Sequence, residues 1–219
     1  MTAPESAAVQ GEIKRLIRRY PDLLPVEGEI SRGVELIITV LSAGGTVLTA
    51  GNGGSAADAV HIVGELMKSF QRPRPLTKAV VDGISQADMP DDIREQLVTH
   101  LEMPLRAQSL VEGLSLSTAF SNDAQPQLAM AQQLLGSARK GDLLVAISTS
   151  GNSENILLAA YLARAMGVSV LALTGGTGGA LREAADIAVV VPGQTTAEIQ
   201  EFHLPVYHCL CAAAEAYFF

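Results

Sequence analysis

The sequence predicts an α/β fold in which a parallel β-sheet is covered by helices on both faces. Unbroken apolar runs of strand length alternate with longer segments whose apolar residues recur every three or four positions, and this alternation is typical of such sheets. The 20 glycines, the absence of Trp and an aromatic content of only 4% favour close packing of helices on a sheet. With 219 residues and 48% apolar side chains, the chain suffices for one large domain with its own core.

Two helices are expected before the first strand. Apolar residues recur at helical spacing in residues 13–20 and again in residues 30–41, and a Gly-Gly pair at 44–45 ends the second helix. The β-rich run 46–50 is the first predicted strand. It stops at the glycine-rich loop 51–55, and a third helix is predicted from about residue 56 to residue 69.

The alternation continues through the second half of the chain. Four more strands are predicted, over 107–111, 143–147, 168–173 and 186–191. Between them the sequence predicts a polar turn at 121–123, helices at 128–135 and 153–166, and a glycine-rich loop at 175–179. Residues 197–218 form a long final helix. The loops after the first and third strands should therefore meet at the carboxyl edge of the sheet, where ligands of such folds bind.

Residues 75–104 read as an insertion into this alternation. The surrounding stretch 72–106 holds four of the ten prolines and two short helical patterns, of which the clearer, 91–97, begins with a capping Asp91. The segment is too short for its own core, so we expect it to pack over an active site of its own or a neighbouring subunit. The alternative is a surface addition that only extends a subunit interface.

Composition and charge argue against several functions. A net charge of −8 disfavours nucleic-acid binding, and the small basic cluster at 68–74 is expected to be a solvated helix end. Cys209 and Cys211 are expected to be buried thiols of a reducing, cytoplasmic compartment. Neither a signal peptide nor an apolar stretch of about 20 residues is visible, so no membrane association is expected.

The loop 148–153 is a candidate anion site. It joins the end of a predicted strand to the start of a predicted helix. Its four hydroxyls come from Ser148, Thr149, Ser150 and Ser153. They lie beside free backbone N–H groups and the positive end of the helix dipole, which favour an anion. The alternative is a helix cap with spare serines. The loop 51–55 is a second place where the backbone can approach a ligand closely. Neither loop has the spacing of a dinucleotide-binding or P-loop motif.

A His-Glu pair is the candidate reactive group. His61 and Glu65 lie four residues apart on one predicted helix and so share a face, where they can bind zinc or act as an acid–base pair. A solvated surface pair is the alternative. The final helix adds Gln200, His203 and His208. Spacing alone pairs Gln200 with His203, because Gln200 and His208 are about 12 Å apart along a helix.

These motifs together resemble one family. Their order along the chain is that of the sugar-isomerase (SIS) domain, and within it the chain is similar to the phosphoheptose isomerases. The resemblance rests on residues 51–55, His61-x-x-x-Glu65, residues 121–123, residues 148–153 and Gln200-Glu201-x-His203-x-x-x-x-His208. It covers nearly the whole chain outside residues 75–104.

The resemblance implies a flavodoxin-like, doubly wound sheet of five parallel strands within a single SIS domain spanning 1–219. It also implies a homotetramer built partly on the N-terminal helices (1–43), with active sites at subunit interfaces and one zinc per subunit. The implied metal ligands are His61, Glu65, Gln200 and His208, with Glu65 as general base, His208 as general acid and His203 in a supporting position. The implied substrate contacts are Glu65 and Gln200 themselves, the sugar-pocket residues Asn52, Gly53, Gly54, Ser55, Asn122 and Asp123, and the phosphate residues Ser148, Thr149, Ser150 and Ser153.

The chain departs from the family pattern at two positions, Ser69 and Ala197, where those enzymes carry an arginine and an acid. We therefore expect an aldose–ketose isomerase acting on sedoheptulose 7-phosphate or an octulose 8-phosphate through an enediol. The alternative is a non-enzymatic SIS module like the tetramers that associate with the bacterial replication initiator. A sugar-phosphate-sensing regulator ranks last, because no DNA-binding extension is visible.

Overall fold

The computed structural model describes residues 3–219 and places a five-stranded, all-parallel sheet between two layers of helices. The strands are β1 (Val47–Ala50), β2 (Ala107–Ser109), β3 (Leu143–Ile147), β4 (Ser169–Gly175) and β5 (Ile187–Val191). Their order across the sheet is β2-β1-β3-β4-β5. This is the flavodoxin-like order, so the predicted fold class is confirmed, and the strand order reverses between β1 and β3.

Ten helices surround the sheet within the described residues. They are α1 (Ala3–Arg19), α2 (Glu27–Ser42), α3 (Gly54–Met67), α4 (Lys78–Gln86), α5 (Asp91–His100), α6 (Leu114–Asp123), α7 (Ala129–Ser137), α8 (Glu154–Ala165), α9 (Gly179–Ala184) and α10 (Thr196–Phe218). Short 3₁₀ turns connect α1 to α2 and α6 to α7. None of the helices described in residues 3–219 is both long enough and apolar enough to cross a membrane.

The two faces of the sheet bury different cores. Successive strand residues point to opposite faces, so Leu143, Val145 and Ile147 belong to a core shared with α1, α2, α3 and α10, whereas Leu144 and Ala146 belong to a core shared with α7, α8 and α9. The strands read as continuous apolar runs because both faces are covered. Cys209 and Cys211 are buried in the first core, as predicted.

One local prediction is wrong. Residues 121–123 are not a turn, because they form the last turn of α6 and the chain leaves the helix at Ala124, whose N–H donates to the carbonyl of Phe120. The predicted strand 107–111 is also shorter, ending at Ser109. The polarity of these residues suggested a turn, but three polar residues also fit an exposed helix end, where their side chains stay in contact with water.

The segment 75–104 folds into α4 and α5, which pack mainly against each other and contain no buried residue. Its apolar residues Ile93 and Leu101 are 44% and 50% exposed. The segment begins and ends beside the C-terminal end of α3, where Glu102 accepts a hydrogen bond from the N–H of Ser69. That it is an insertion, and that it covers an active site, both stay predictions.

A buried ion pair joins the C-terminal ends of α3 and α10, so the expectation that the basic cluster 68–74 is solvated is wrong for Arg74. The Arg74 Nε donates to Glu215 Oε1 over 2.8 Å, and both side chains are fully buried. The guanidinium also donates to the carbonyls of Leu66 and Glu65, at 2.5 and 2.9 Å. The Glu215 carboxylate accepts further hydrogen bonds from the backbone N–H groups of residues 70–72. Every charged atom of the pair thus has a partner, as a buried pair requires.

Replacing Glu215 by Gln should lower the free energy of unfolding by about 3–5 kcal/mol, because Arg74 is left buried without its counter-charge. Chemical denaturation at a fixed protein concentration measures the loss. Asp82→Asn is the matched control: Asp82 pairs with Lys78, whose side chain is 87% exposed, and loss of this pair should cost at most about 1 kcal/mol. Equal losses for the two variants would contradict the assigned role of Glu215.

Candidate active site

The loops after β1 and β3 meet where the strand order reverses, as predicted. The side-chain amides of Asn52 and Asn155 form a reciprocal pair of hydrogen bonds, at 2.9 and 2.8 Å, which joins the first loop to the start of α8. Asn155 was not singled out from the sequence, because an Asn in the first turn of a helix carries no specific signal. The pair fixes the two candidate ligand-binding loops against each other.

The loop 148–153 rests on the glycine-rich loop after β4. Gly151 has a φ of +64°, and a Cβ there would lie 1.9 Å from the carbonyl oxygen of Gly178, so only glycine is accommodated. The N–H of Leu181 donates to the Gly151 carbonyl at 2.9 Å, and the N–H of Ala180 to Asn152 Oδ1 at 3.0 Å. The residues 175–179, to which the sequence assigned no function, therefore support the candidate anion loop.

The hydroxyls of this loop are not used to cap the following helix. Ser153 is the N-cap of α8, yet its side chain makes no capping hydrogen bond and instead accepts one from Ser148 Oγ at 3.1 Å. Ser148 is buried, whereas Ser150 is exposed at the open side of the loop. The Ser150 hydroxyl accepts a hydrogen bond from the N–H of Asn152 at 3.2 Å, so none of these three hydroxyls caps α8, and the loop lies at the positive end of the α8 dipole. The anion site stays a prediction.

His61, Glu65 and His208 come together between α3 and α10. One ligand atom from each lies within 4.8 Å of the others. His61 Nε2 is 2.9 Å from Glu65 Oε1, and the rings of His61 and His208 are 5.0 Å apart, edge to face. Glu65 Oε2 and His208 Nε2 are buried and find no hydrogen-bond partner among the described residues. Two imidazoles and a carboxylate with unpartnered atoms suit a tetrahedral zinc site with an open position.

Burial lowers the pKa of His208, and the neighbouring His61 lowers it further, while Glu65 opposes both effects. The neutral imidazole that results keeps a lone pair available for a metal ion or a proton. His208 also lines a pocket of about 130 Å³ between α1, α10 and residues 70–71, whose wall includes Arg15 and Arg19. The three-residue cluster is thus reachable from outside the core.

Gln200 lies away from this cluster within one chain. Its amide contacts the start of α3, where a Cβ on Gly54 would lie 2.5 Å from Gln200 Nε2. Gly54 precedes His61 by seven helical residues, about 10 Å of rise. Gln200 therefore lies beside the glycine-rich loop of the predicted sugar pocket, and its assignment as fourth metal ligand stays a prediction.

His203 does not join the cluster. It is fully buried beside Thr174 of β4, and burial lowers its pKa to about 4. The pairing of Gln200 with His203 that spacing suggested thus has no counterpart in the structure, because His203 lies on the sheet-facing side of α10. His208, the residue implied by the resemblance, lies on the side that faces α3.

Asn122 and Asp123 lie exposed at the end of α6, where Asn122 Nδ2 donates to Asp123 Oδ1 at 2.7 Å. Among the described residues they pair with each other rather than with loop 51–55 or loop 148–153. Their assignment to the sugar pocket stays a prediction.

Two residues beside the cluster were missed in the sequence. Tyr207 OH lies 2.9 Å from His61 Nδ1 and donates to Asp58 Oδ1 at 3.2 Å. Burial raises the pKa of Tyr207. Burial also raises the pKa of Asp58, although the hydrogen bond from Tyr207 acts in the opposite direction. One signal was available: Asp58 lies three residues before His61 and so shares its helix face.

Comparisons with known proteins agree with this geometry. The SIS domain family model matches residues 95–175. The phosphoheptose isomerase of Akkermansia muciniphila is 34% identical over 210 residues, which is 96% of both chains. That of Thiobacillus denitrificans is 37% identical over 190 residues, covering 85% of this chain and 82% of the relative.

Solved structures give the same result. A phosphoheptose isomerase from Francisella tularensis superposes with a TM-score of 0.72 at 29% identity, covering 95% of this chain and 93% of the other. The structure of phosphoheptose isomerase from Neisseria gonorrhoeae has a TM-score of 0.66 at 29% identity, covering 92% and 97% of the two chains.

Proposed function

Because this chain belongs to the phosphoheptose isomerase family of SIS-domain proteins, we propose that it converts sedoheptulose 7-phosphate, or an octulose 8-phosphate, to the aldose phosphate. Family membership confirms the predicted enzyme class, an isomerase. The observation that carries the proposal is the cluster of His61, Glu65 and His208, in which Glu65 Oε2 and His208 Nε2 are buried without a hydrogen-bond partner and Lys68 Nζ lies 3.7 Å from Glu65 Oε2. The product would enter heptose biosynthesis in the cytoplasm, which stays a prediction.

The residues of the cluster would hold one zinc ion per subunit, with Gln200 as the proposed fourth ligand. When bound, zinc supplies Lewis-acid polarisation of the carbonyl and enediolate oxygens. The donor set of two imidazoles and a carboxylate matches zinc better than calcium or magnesium, which prefer all-oxygen sites.

Glu65 is the proposed general base. It takes a proton from C1 of the ketose and returns it to C2, so the C1–H bond breaks and a C2–H bond forms. His208 is the proposed general acid, which gives a proton to the C2 oxygen and accepts one from the C1 hydroxyl. Imidazole has two nitrogens, so one can bind a metal ion while the other exchanges a proton. The neutral form of His208, favoured by its lowered pKa, suits the binding of a metal ion. As general acid, His208 would give the proton on its other nitrogen to the C2 oxygen and regain one from the C1 hydroxyl.

The phosphate group is proposed to bind loop 148–153, through the hydroxyls of Ser148, Thr149, Ser150 and Ser153. The sugar hydroxyls would contact the residues at the neighbouring sheet edge, which are Asn52, Gly53, Gly54, Ser55 and Gln200, with Asn122 and Asp123 proposed to complete the pocket. Binding energy from this remote end of the substrate would hold C1 and C2 in position for proton transfer.

The two halves of this site are far apart within one chain. Loop 51–55 lies at the carboxyl edge of the sheet, and Glu65 lies eleven residues after Gly54 along α3, about 16 Å of helix rise. A separation of this size along the helix favours a site shared between subunits. We therefore propose that the phosphate loop of one subunit faces the metal cluster of another in a homotetramer, and that Gln200 reaches the metal from the subunit that supplies the loop.

Glu65→Gln should lower kcat by a factor of about 10²–10⁴, because it removes the base while keeping the side-chain volume. Conversion of sedoheptulose 7-phosphate to the aldose, followed by NMR of the C1 and C2 protons, measures the effect and tests the proposed function. Glu183→Gln, on the exposed face of α9, is the matched control and should keep wild-type kcat. A wild-type protein that isomerises neither the heptulose nor the octulose phosphate would refute the proposal.

The double variant Ser150→Ala/Ser153→Ala should raise KM for the sugar phosphate more than it lowers kcat, because the phosphate lies far from the reacting carbons. Steady-state kinetics over a range of substrate concentrations separate the two effects. Ser137→Ala, at the C-terminal end of α7, provides the comparison and should change neither constant. An unchanged KM in the double variant would place the phosphate elsewhere.

Mixed oligomers should recover activity if each site combines two subunits. Co-expression of Glu65→Gln chains with chains carrying the double serine replacement would create some sites with an intact cluster and an intact phosphate loop. At low substrate concentration, the mixture should exceed the summed activities of the separate variants. Mixing Glu65→Gln with His208→Gln is the control, since both changes damage the same cluster and no rescue is expected. Absence of rescue in the first mixture would contradict the shared site.

A further inference from the structure

His61 lies between two hydrogen-bond partners, one on each ring nitrogen. Its Nε2 faces Glu65 Oε1 at 2.9 Å, and its Nδ1 faces the hydroxyl of Tyr207 at the same distance. The hydroxyl of Tyr207 also reaches Asp58 Oδ1 at 3.2 Å. The four groups thus form one continuous series at hydrogen-bonding distance from Asp58 to Glu65.

The donors and acceptors in this series restrict where the proton of a neutral His61 can lie. A tyrosine hydroxyl carries one hydrogen and can also accept. If that hydrogen points to the Asp58 carboxylate, an acceptor when ionised, the phenol oxygen is left to accept from Nδ1–H. Nε2 then carries a lone pair directed toward Glu65 and His208. If the hydrogen pointed to Nδ1 instead, the proton of His61 would occupy Nε2 and block it.

We propose that Tyr207, oriented by Asp58, is a positioning residue that holds the proton of His61 on Nδ1 and leaves Nε2 free to bind the metal ion. This inference rests on the metal site of the proposed function. A hydrogen bond to the second nitrogen of a ligating imidazole is a common way to fix its tautomer and ring orientation. Tyr207 and Asp58 would therefore tune metal affinity without touching the metal or the substrate.

The local structure makes this role possible. Asp58, His61 and Glu65 share one face of α3, since they are three and four residues apart. Tyr207 belongs to α10 and precedes His208, so the same hydrogen-bond chain joins the two helices that carry the metal ligands. Tyr207 is only 1% exposed, which leaves its hydroxyl no bulk water as an alternative partner. The ring of Tyr207 also packs edge to face against His208, with centroids 5.0 Å apart.

The test is the affinity of the metal-free protein for Zn²⁺, measured by competition with a chromophoric chelator. Tyr207→Phe keeps the ring and removes only the hydroxyl, and Asp58→Asn keeps the volume and removes the charge. Each should weaken Zn²⁺ binding by a factor of about 10–100, the usual effect of removing such an outer partner. Tyr217→Phe is the matched control on the same helix, because Tyr217 packs on Phe218 and should leave Zn²⁺ affinity unchanged.

The double variant separates positioning from a general packing effect. Because both residues act through one chain of hydrogen bonds, Tyr207→Phe/Asp58→Asn should bind Zn²⁺ no more weakly than the weaker single variant, whereas independent effects would multiply. Multiplying effects, or single variants within about threefold of the wild type, would overturn the inference while leaving the metal site intact. A wild-type protein that does not bind Zn²⁺ would overturn the proposed metal site and this inference together. Thermal unfolding of the metal-free variants checks that the fold is retained.

Discussion

The buried pair of Arg74 and Glu215 is the interaction on which the geometry of the catalytic region depends. It lies where α3 and α10 end, and these two helices carry every member of the His61, Glu65 and His208 cluster. The guanidinium binds the backbone carbonyl of Glu65 itself, so the proposed base is attached to the ion pair directly. A solvated pair would contribute little, but a buried one with all its hydrogen bonds made permits only one arrangement of the groups around it.

The proposed site separates two tasks that the proposed reaction needs. Recognition of an anion is assigned to the carboxyl edge of the sheet, where strand order reverses and backbone N–H groups are free. Proton transfer is assigned to side chains farther along two helices, which the apolar core and the buried ion pair hold rigidly. The two places are about 16 Å apart along α3. This separation is why we propose that sites are completed by neighbouring subunits, in keeping with the oligomer that the family resemblance implies.

The fold and the two loops could be predicted because they depend on patterns that are local in sequence. Apolar runs between helical periodicities require a covered parallel sheet, and the loops after its strands then meet at one edge. His61 and Glu65 could be paired for the same reason, since a spacing of four places them on one helix face. The choice of His208 over His203 could not be made from spacing. It depends on a rotation of about 140° around α10, which directs His203 to the sheet and His208 to α3. Asp58 and Tyr207 were missed because their contact joins residues 149 positions apart.

His203 and His208 each have at least one buried ring nitrogen without a hydrogen-bond partner among the described residues, but the surroundings of the two side chains differ. His203 is fully buried against β4, where burial lowers its pKa to about 4 and favours the neutral form. His208 has a second unpartnered group, Glu65 Oε2, close by and opens to a pocket beside α1. A lone buried imidazole can be tolerated as a neutral core residue, because desolvation penalises mainly its charged form. Glu65 Oε2 has no hydrogen-bond partner and Lys68 Nζ lies 3.7 Å away, and its closeness to the free Nε2 of His208 is what supports the proposed metal site.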